Sequence, residues 1–62
     1  YNLTVREEEV LELMMLGMSN QEIAETMVIL PGTARTHVSH SCRKLGTDSR
    51  TEAIEIARSA SI

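Results

Sequence analysis

The side chains best equipped for chemistry crowd into one stretch of the 62-residue chain, LPGTARTHVSHSCRKLG at residues 30–46. It holds both histidines, the single cysteine and three of the six basic residues. Three kinds of chemistry would use such a set. A metal ion would use His37 and His40, spaced three apart, but a third ligand is missing from their side, because Cys42 falls on another face of a helix drawn through them. Nucleophilic catalysis would pair His37 with Ser41 or His40 with Cys42. Neither pair comes with an orienting acid or an oxyanion site. The reading is therefore no enzyme, no metal and no cofactor, with Cys42 a small buried thiol whose own stripe carries no charge to lower its pKa. The third chemistry is contact with a polyanion, for which Arg35, Arg43 and Lys44 supply the positive charge.

The formal net charge of −3 speaks against such a partner only while it is taken as a sum. Residues 1–27 set Arg6 against Glu7, Glu8, Glu9, Glu12, Glu22 and Glu25, a balance of −5. Residues 28–50 set Arg35, Arg43, Lys44 and Arg50 against Asp48, a balance of +3 before any contribution from the histidines. An electrostatic footprint is a local property, and the positive one lies on residues 28–50.

Four helices are needed to position this stretch. Thr4-Val-Arg-Glu7, Ser19-Asn-Gln-Glu22 and Ser49-Arg-Thr-Glu52 each spell a capping box, in which the hydroxyl caps the N–H three residues on and the glutamate reaches back. Each precedes apolar residues at helical spacing. Gly17 and Gly46 fit the left-handed position that ends a helix, and Pro31 suits a first helical position. These signals predict an all-α chain with helices at about 5–16, 20–27, 31–45 and 50–59, and no strand. Val28-Ile29-Leu30 has the length of the turn in a helix-turn-helix.

On the third helix Ala34, Val38, Ser41, Cys42 and Leu45 share one stripe, small and mostly apolar, which should face the core. Arg35, Thr36, Ser39, His40 and Arg43 form a polar, positive stripe that should face outward. A helix held by one face and showing donors, acceptors and positive charge on the other can lie in a major groove. A solvated helix whose basic residues pair with the acidic first helix is the plainer alternative.

Taken together, LTVREEEVLELMMLGMSNQEIAETM, GTARTHVSHSCRKLG and SRTEAIEIA resemble the LuxR-type (GerE-type) helix-turn-helix domain from Leu3 to about Ala57. The resemblance implies a tetrahelical, usually dimeric DNA-binding domain of a cytoplasmic bacterial transcriptional regulator, with the third helix as recognition helix. It implies a response regulator or ligand-sensing regulator with a further regulatory domain upstream, of which residues 1–62 would be the C-terminal part. Carried over by position, Arg35, Thr36, Ser39 and His40 face the bases. Thr33, His37, Arg43 and Lys44, with Ser19, Asn20 and Gln21 at the start of helix two, face phosphates. Ala53, Ile54, Ala57 and Arg58 on helix four serve dimerisation. The implied partners are double-stranded DNA and a second copy, with neither a small-molecule substrate nor a membrane contact. Arg35 can donate two hydrogen bonds to a guanine edge, whereas the short Ser39 reads few bases.

The sequence also departs from the family. Leu30 stands where a capping serine is common, and a lost cap costs about 0.5–2 kcal/mol. The inward stripe is thinned at Ala34, Ser41 and Cys42, and Met15 and Leu16 on helix one are expected to lean into the vacated volume. Glu8 and Arg50 are a candidate ion pair between helices one and four. An uncapped recognition helix also admits a second function, a fold kept for protein interaction after DNA affinity has been lost. At 62 residues there is one domain, burying only about 60% of its unfolded surface and leaving no room for a walled catalytic cavity.

Overall fold

Thr4 and Ser19 decide where the first two helices begin. Each hydroxyl accepts a hydrogen bond at 3.2 Å from the backbone N–H three residues on, of Glu7 and Glu22. Those glutamates answer by accepting from the N–H groups of Thr4 and Ser19 at 2.8 and 2.9 Å, so both capping boxes are complete. In the computed structural model, which describes residues 2–60, four helices follow in order: α1 (Val5–Met15), α2 (Asn20–Met27), α3 (Pro31–Lys44) and α4 (Arg50–Ser59). Among the described residues there is no strand. The expected helix-turn-helix is α2 and α3, and both α1 and α2 pack most closely on α3.

The third capping box closes by half. Ser49 Oγ accepts from Glu52 N–H at 3.3 Å, but the Glu52 carboxylate accepts from the Thr47 hydroxyl, and Ser49 N–H donates to Thr47 Oγ1 at 3.0 Å. Thr47, two residues upstream, has taken the donor that Glu52 would have used. The expected ends at 16 and 45 also retract by one residue: Leu16 and Leu45 are C-caps.

Three helices end in one way. After α1, Gly17 N–H donates to Met14 O and Met18 N–H to Leu13 O; after α3, Gly46 N–H donates to Arg43 O and Thr47 N–H to Cys42 O. Both are Schellman closures with a left-handed glycine, φ +85° in each. After α2 the same pair of bonds recurs, Val28 N–H to Glu25 O and Ile29 N–H to Ala24 O, but the left-handed residue is a valine, φ +56°. A β-branched side chain is poorly suited to that region. Val28 is 88% exposed, so packing does not repay the strain.

The core comprises Val10, Leu11 and Met14 of α1, Ile23 and Ala24 of α2, Ala34, Val38, Cys42 and the C-cap Leu45 around α3, and Ala53 and Ala57 of α4. The inward stripe of α3 is thus the expected one. Ser41, fully buried in it, donates its hydroxyl to His37 O at 2.8 Å and lies 3.4 Å from Glu7 O, so its buried oxygen is not stranded. The expected lean of α1 is corrected at Leu16. It lies half a turn from the Glu7–Val10–Leu11–Met14 stripe and is exposed, while Met15, on the flank, is half-buried against the core. Val10, Leu11 and Met14 do the filling. The expected Glu8–Arg50 pair is also overturned. Arg50 Nη1 donates to Asn20 Oδ1 at 2.6 Å and Nη2 to Met18 O, fastening α4 to the α1–α2 turn, and Glu8 stays exposed.

Left-handed backbone costs a non-glycine residue about 1–2 kcal/mol, and a gain of 1 kcal/mol in a domain this small moves the midpoint by roughly 4–8 °C. Val28→Asn, a residue that tolerates this conformation, is therefore expected to raise the thermal midpoint followed by circular dichroism at 222 nm. An unchanged or lower midpoint would show that the turn carries no strain.

Candidate nucleic-acid interface

The outward face of α3 is built by what lies behind it. Burial of Ala34, Val38, Ser41, Cys42 and Leu45 leaves Thr33, Arg35, Thr36, Ser39, His40 and Arg43 exposed, with His37 half-buried. Thr36 is already occupied in part: its hydroxyl donates to Gly32 O at 3.0 Å, which leaves the oxygen lone pairs and the methyl for a ligand. Among the described residues the ion pairs are Arg6–Glu9 and Lys44–Glu7, so Arg35 and Arg43 stand clear of carboxylates. The plainer alternative, basic α3 neutralised by acidic α1, is realised by Lys44 alone.

Lys44 stays exposed but turns toward the start of α1. Its ammonium donates to Glu7 Oε1 at 2.8 Å and to Asn2 O at 3.0 Å. Glu7 is only 5% exposed. The Lys44 hydrogen bond, helped by the donors at Thr4, holds its carboxyl below the usual carboxylate range against the opposing pull of burial. Lys44 thus anchors the last turn of α3 to the start of α1. Sequence reasoning missed this latch although its signal was present, since Glu7 falls on the same helical stripe as Val10, Leu11 and Met14.

The first turn of α3 is held differently. Leu30 has the extended backbone of an N-cap but provides no side-chain hydrogen bond, Pro31 supplies no N–H, and no acidic residue lies in that turn. The backbone donors of Gly32 and Thr33 are therefore left to solvent or to a ligand. Gly32 has nothing within 4 Å of the place a Cβ would take, so this corner is open.

At the start of α2, Ser19 and Gln21 are exposed and Asn20 is half-buried. Asn20 Oδ1 accepts from Arg50, which turns the amide nitrogen into its free end, and Ser19 Oγ keeps its proton while capping α2. This clamp escaped sequence reasoning, because nothing in the spacing of Asn20 and Arg50 marks them as partners. On α4 a correction is needed. Ala53 and Ala57 are 0% exposed and belong to the core, so neither presents surface to a second chain. Ile54 is half-buried, and Arg58 is exposed with one hydrogen bond, at 3.3 Å, to Met15 O at the end of α1. Cys42 is buried, and desolvation pushes its thiol up.

Comparison with known proteins agrees with this architecture. The family model described as bacterial regulatory proteins of the luxR family matches residues 1–57. The chain is 46% identical over 52 residues to the transcriptional regulatory protein LnrK of Bacillus subtilis, covering 84% of this chain and 24% of that protein. It is 42% identical over 55 residues to the transcriptional regulatory protein YvfU of the same organism, covering 89% and 28%. With the spore germination protein GerE of Bacillus subtilis it shares 40% over 52 residues, covering 84% and 70%. The chain thus spans about a quarter of the length of the first two relatives and most of the third.

Two measurements separate the ends of α3. Leu30→Ser supplies a cap to a backbone already in N-cap geometry and is expected to stabilise the domain by about 0.5–2 kcal/mol in urea unfolding; no gain would mean the first turn is satisfied by other means. Glu7→Gln is expected to destabilise it by about 1.5–3 kcal/mol at pH 7, since it weakens hydrogen bonds to a charged group. Because the folded pKa of Glu7 lies below its ordinary 4.5, that contribution is fully present above about pH 5 and is lost as pH falls through the lowered folded value. The wild-type and Gln curves should converge in acid. A gap independent of pH would refute the latch.

Proposed function

The chain belongs to the luxR family of bacterial regulatory proteins, a family of helix-turn-helix DNA-binding domains, and on that premise we propose that it reads specific duplex sequences with α3 in the major groove. One observation carries the reading: the outward face of α3 is exposed, cationic and, among the described residues, free of carboxylate partners, in a chain that is acidic elsewhere. Arg35 is assigned to a guanine edge, Thr36 and Ser39 to bases within reach of short side chains, and His40 to the adjoining base. Thr33, His37 and Arg43 are assigned to phosphates, along with Ser19, Gln21 and the Asn20 amide at the start of α2. The open N–H groups of Gly32 and Thr33 favour an anion in the same place. Lys44, held by Glu7 and Asn2, is assigned to positioning the helix.

The working unit in this reading is a homodimer on two half-sites about one helical turn apart. Since Ala53 and Ala57 are buried, the dimer surface on α4 is assigned to Ile54 and Arg58. The greater length of LnrK and YvfU supports a further regulatory domain in the whole protein, of the response-regulator or ligand-sensing kind, and work in the bacterial cytoplasm where DNA lies. No helix among the described residues is long and apolar enough to cross a membrane.

Fluorescence anisotropy with a duplex obtained by binding-site selection tests this. The logarithm of affinity should fall linearly with that of salt, by about 0.9 per phosphate neutralised. Arg43→Ala should weaken all duplexes alike and flatten that slope by about one, whereas Arg35→Ala should cost about 1–3 kcal/mol at one base position and relax preference there. Absence of binding to any duplex at about 50 mM salt would leave the fold as an interaction module.

A further inference from the structure

Contact with DNA would occupy the positive charge on α3, and the capping boxes use Glu7 and Glu22. That leaves Glu8, Glu9, Glu12 and Glu25 of the acidic residues 1–27 without a role in the fold or the interface. Part of this acidic charge frames a groove of about 300 Å³ between α1 and the C-terminal end of α2, lined by Arg6, Glu9, Glu12, Leu13, Thr26 and Met27. The floor is apolar, with Leu13 and Met27 half-buried on the core. The rim carries two glutamates: among the described residues Glu9 is engaged by the exposed Arg6 at 3.4 Å, and Glu12 is exposed. The carbonyl end of α2 opens here as well, with no basic residue in its last turn, which adds negative potential to that of the glutamates.

Directly after Met27 comes Val28, exposed and held in left-handed backbone. Glycine or asparagine would close α2 with less strain, and the core gains nothing from this side chain. A strained residue that the fold does not need points to a use outside the fold. It follows the groove residue Met27 directly in the chain and offers an exposed apolar side chain.

We propose that this groove docks a basic amphipathic segment of a partner protein. Its lysines or arginines meet Glu9, Glu12 and the carbonyl end of α2, and its apolar side chains rest on Leu13, Met27 and Val28. The charge disfavours nucleic acid and acidic peptides as occupants. A second copy offering its own α3 fits poorly, because the exposed face of that helix, from Thr33 through Thr36, Ser39, His40 and Arg43, holds no large apolar side chain. In the DNA-bound state of the proposed function that face is already taken, whereas the groove remains open to a protein.

The test is a titration of the isotope-labelled 62-residue chain, without DNA, by a synthetic dodecapeptide interleaving Lys and Arg with Leu, followed by NMR amide shifts. Shifts confined to Arg6, Glu9, Glu12, Leu13 and Thr26–Val28 are expected, with little response to a matched peptide bearing Ser for Leu. Glu9→Lys combined with Glu12→Lys, both surface positions, should weaken the peptide about tenfold, and Val28→Ser should weaken it while leaving the dispersion of the spectrum intact. The proposal fails if the Ser peptide binds equally, or if the shifts follow all exposed glutamates. It also fails if dilution without peptide moves groove and α3 resonances together, the mark of a second copy. Because DNA is absent, none of these outcomes depends on the DNA-binding reading.

Discussion

The position of α3 depends on one buried carboxylate. Glu7 lies within the core-facing stripe of α1, where an unpaired charge would be costly, and its two donors come from opposite ends of the problem. Thr4 N–H fixes the start of α1, and the Lys44 ammonium brings the last turn of α3 onto it. Ser41 reinforces the junction from within, its hydroxyl set between His37 O and Glu7 O. The same lysine also accompanies the carbonyl end of α3, where positive charge is favoured. In a chain too small to fix helices by area alone, this polar junction sets the height of α3 along α1.

Local chemistry was legible in the sequence, and tertiary pairing was not. Thr4, Ser19, Gly17 and Gly46 mark helix ends because the groups that satisfy them lie within five residues, so their spacing is the interaction. The failure at Ser49 has the same local origin: Thr47 was a nearer acceptor than Glu52, and the box pattern does not weigh it. The inward stripe of α3 was legible because helical periodicity sorts small from polar residues. Which acid meets which base was not, since Lys44 and Glu7 are 37 residues apart and Arg50 finds the neutral Asn20, 30 residues away, rather than Glu8. For α4 the dimer role of Ala53 and Ala57 came from the family resemblance, whereas their apolar helical spacing already carried the signature of the buried face they form. The left-handed Val28 was invisible for the opposite reason: valine is the last residue that backbone rules would place there.

The thinned stripe of α3 has a geometric consequence. Ala34, Ser41 and Cys42 present little bulk, so neighbouring helices can approach closely, and the volume is taken by Val10, Leu11 and Met14 rather than by residues leaning in from the end of α1. Leu16 could not contribute, being half a turn away. A polar residue survives at the centre of this packing because Ser41 returns its proton to the helix carbonyl four residues back, a bond that needs no partner from elsewhere.

The two ends of α3 are held by different means. Its C-terminal half is tied by the Glu7–Lys44 pair, by Ser41 and by the glycine closure at Gly46. Its first turn relies on Pro31 and on the burial of Ala34 and Val38, with Leu30 unable to cap. The groups assigned to DNA begin in that looser turn. A phosphate placed against Gly32 and Thr33 would supply the acceptors that Leu30 withholds, so binding and completion of the helix would be the same event. A helix capped from within would bring those N–H groups already satisfied and would gain less from the same phosphate. On this account the missing cap lowers the stability of the free domain and raises the share of its stability that comes from the ligand. The firm end at Lys44 would keep the helix in register during such an exchange.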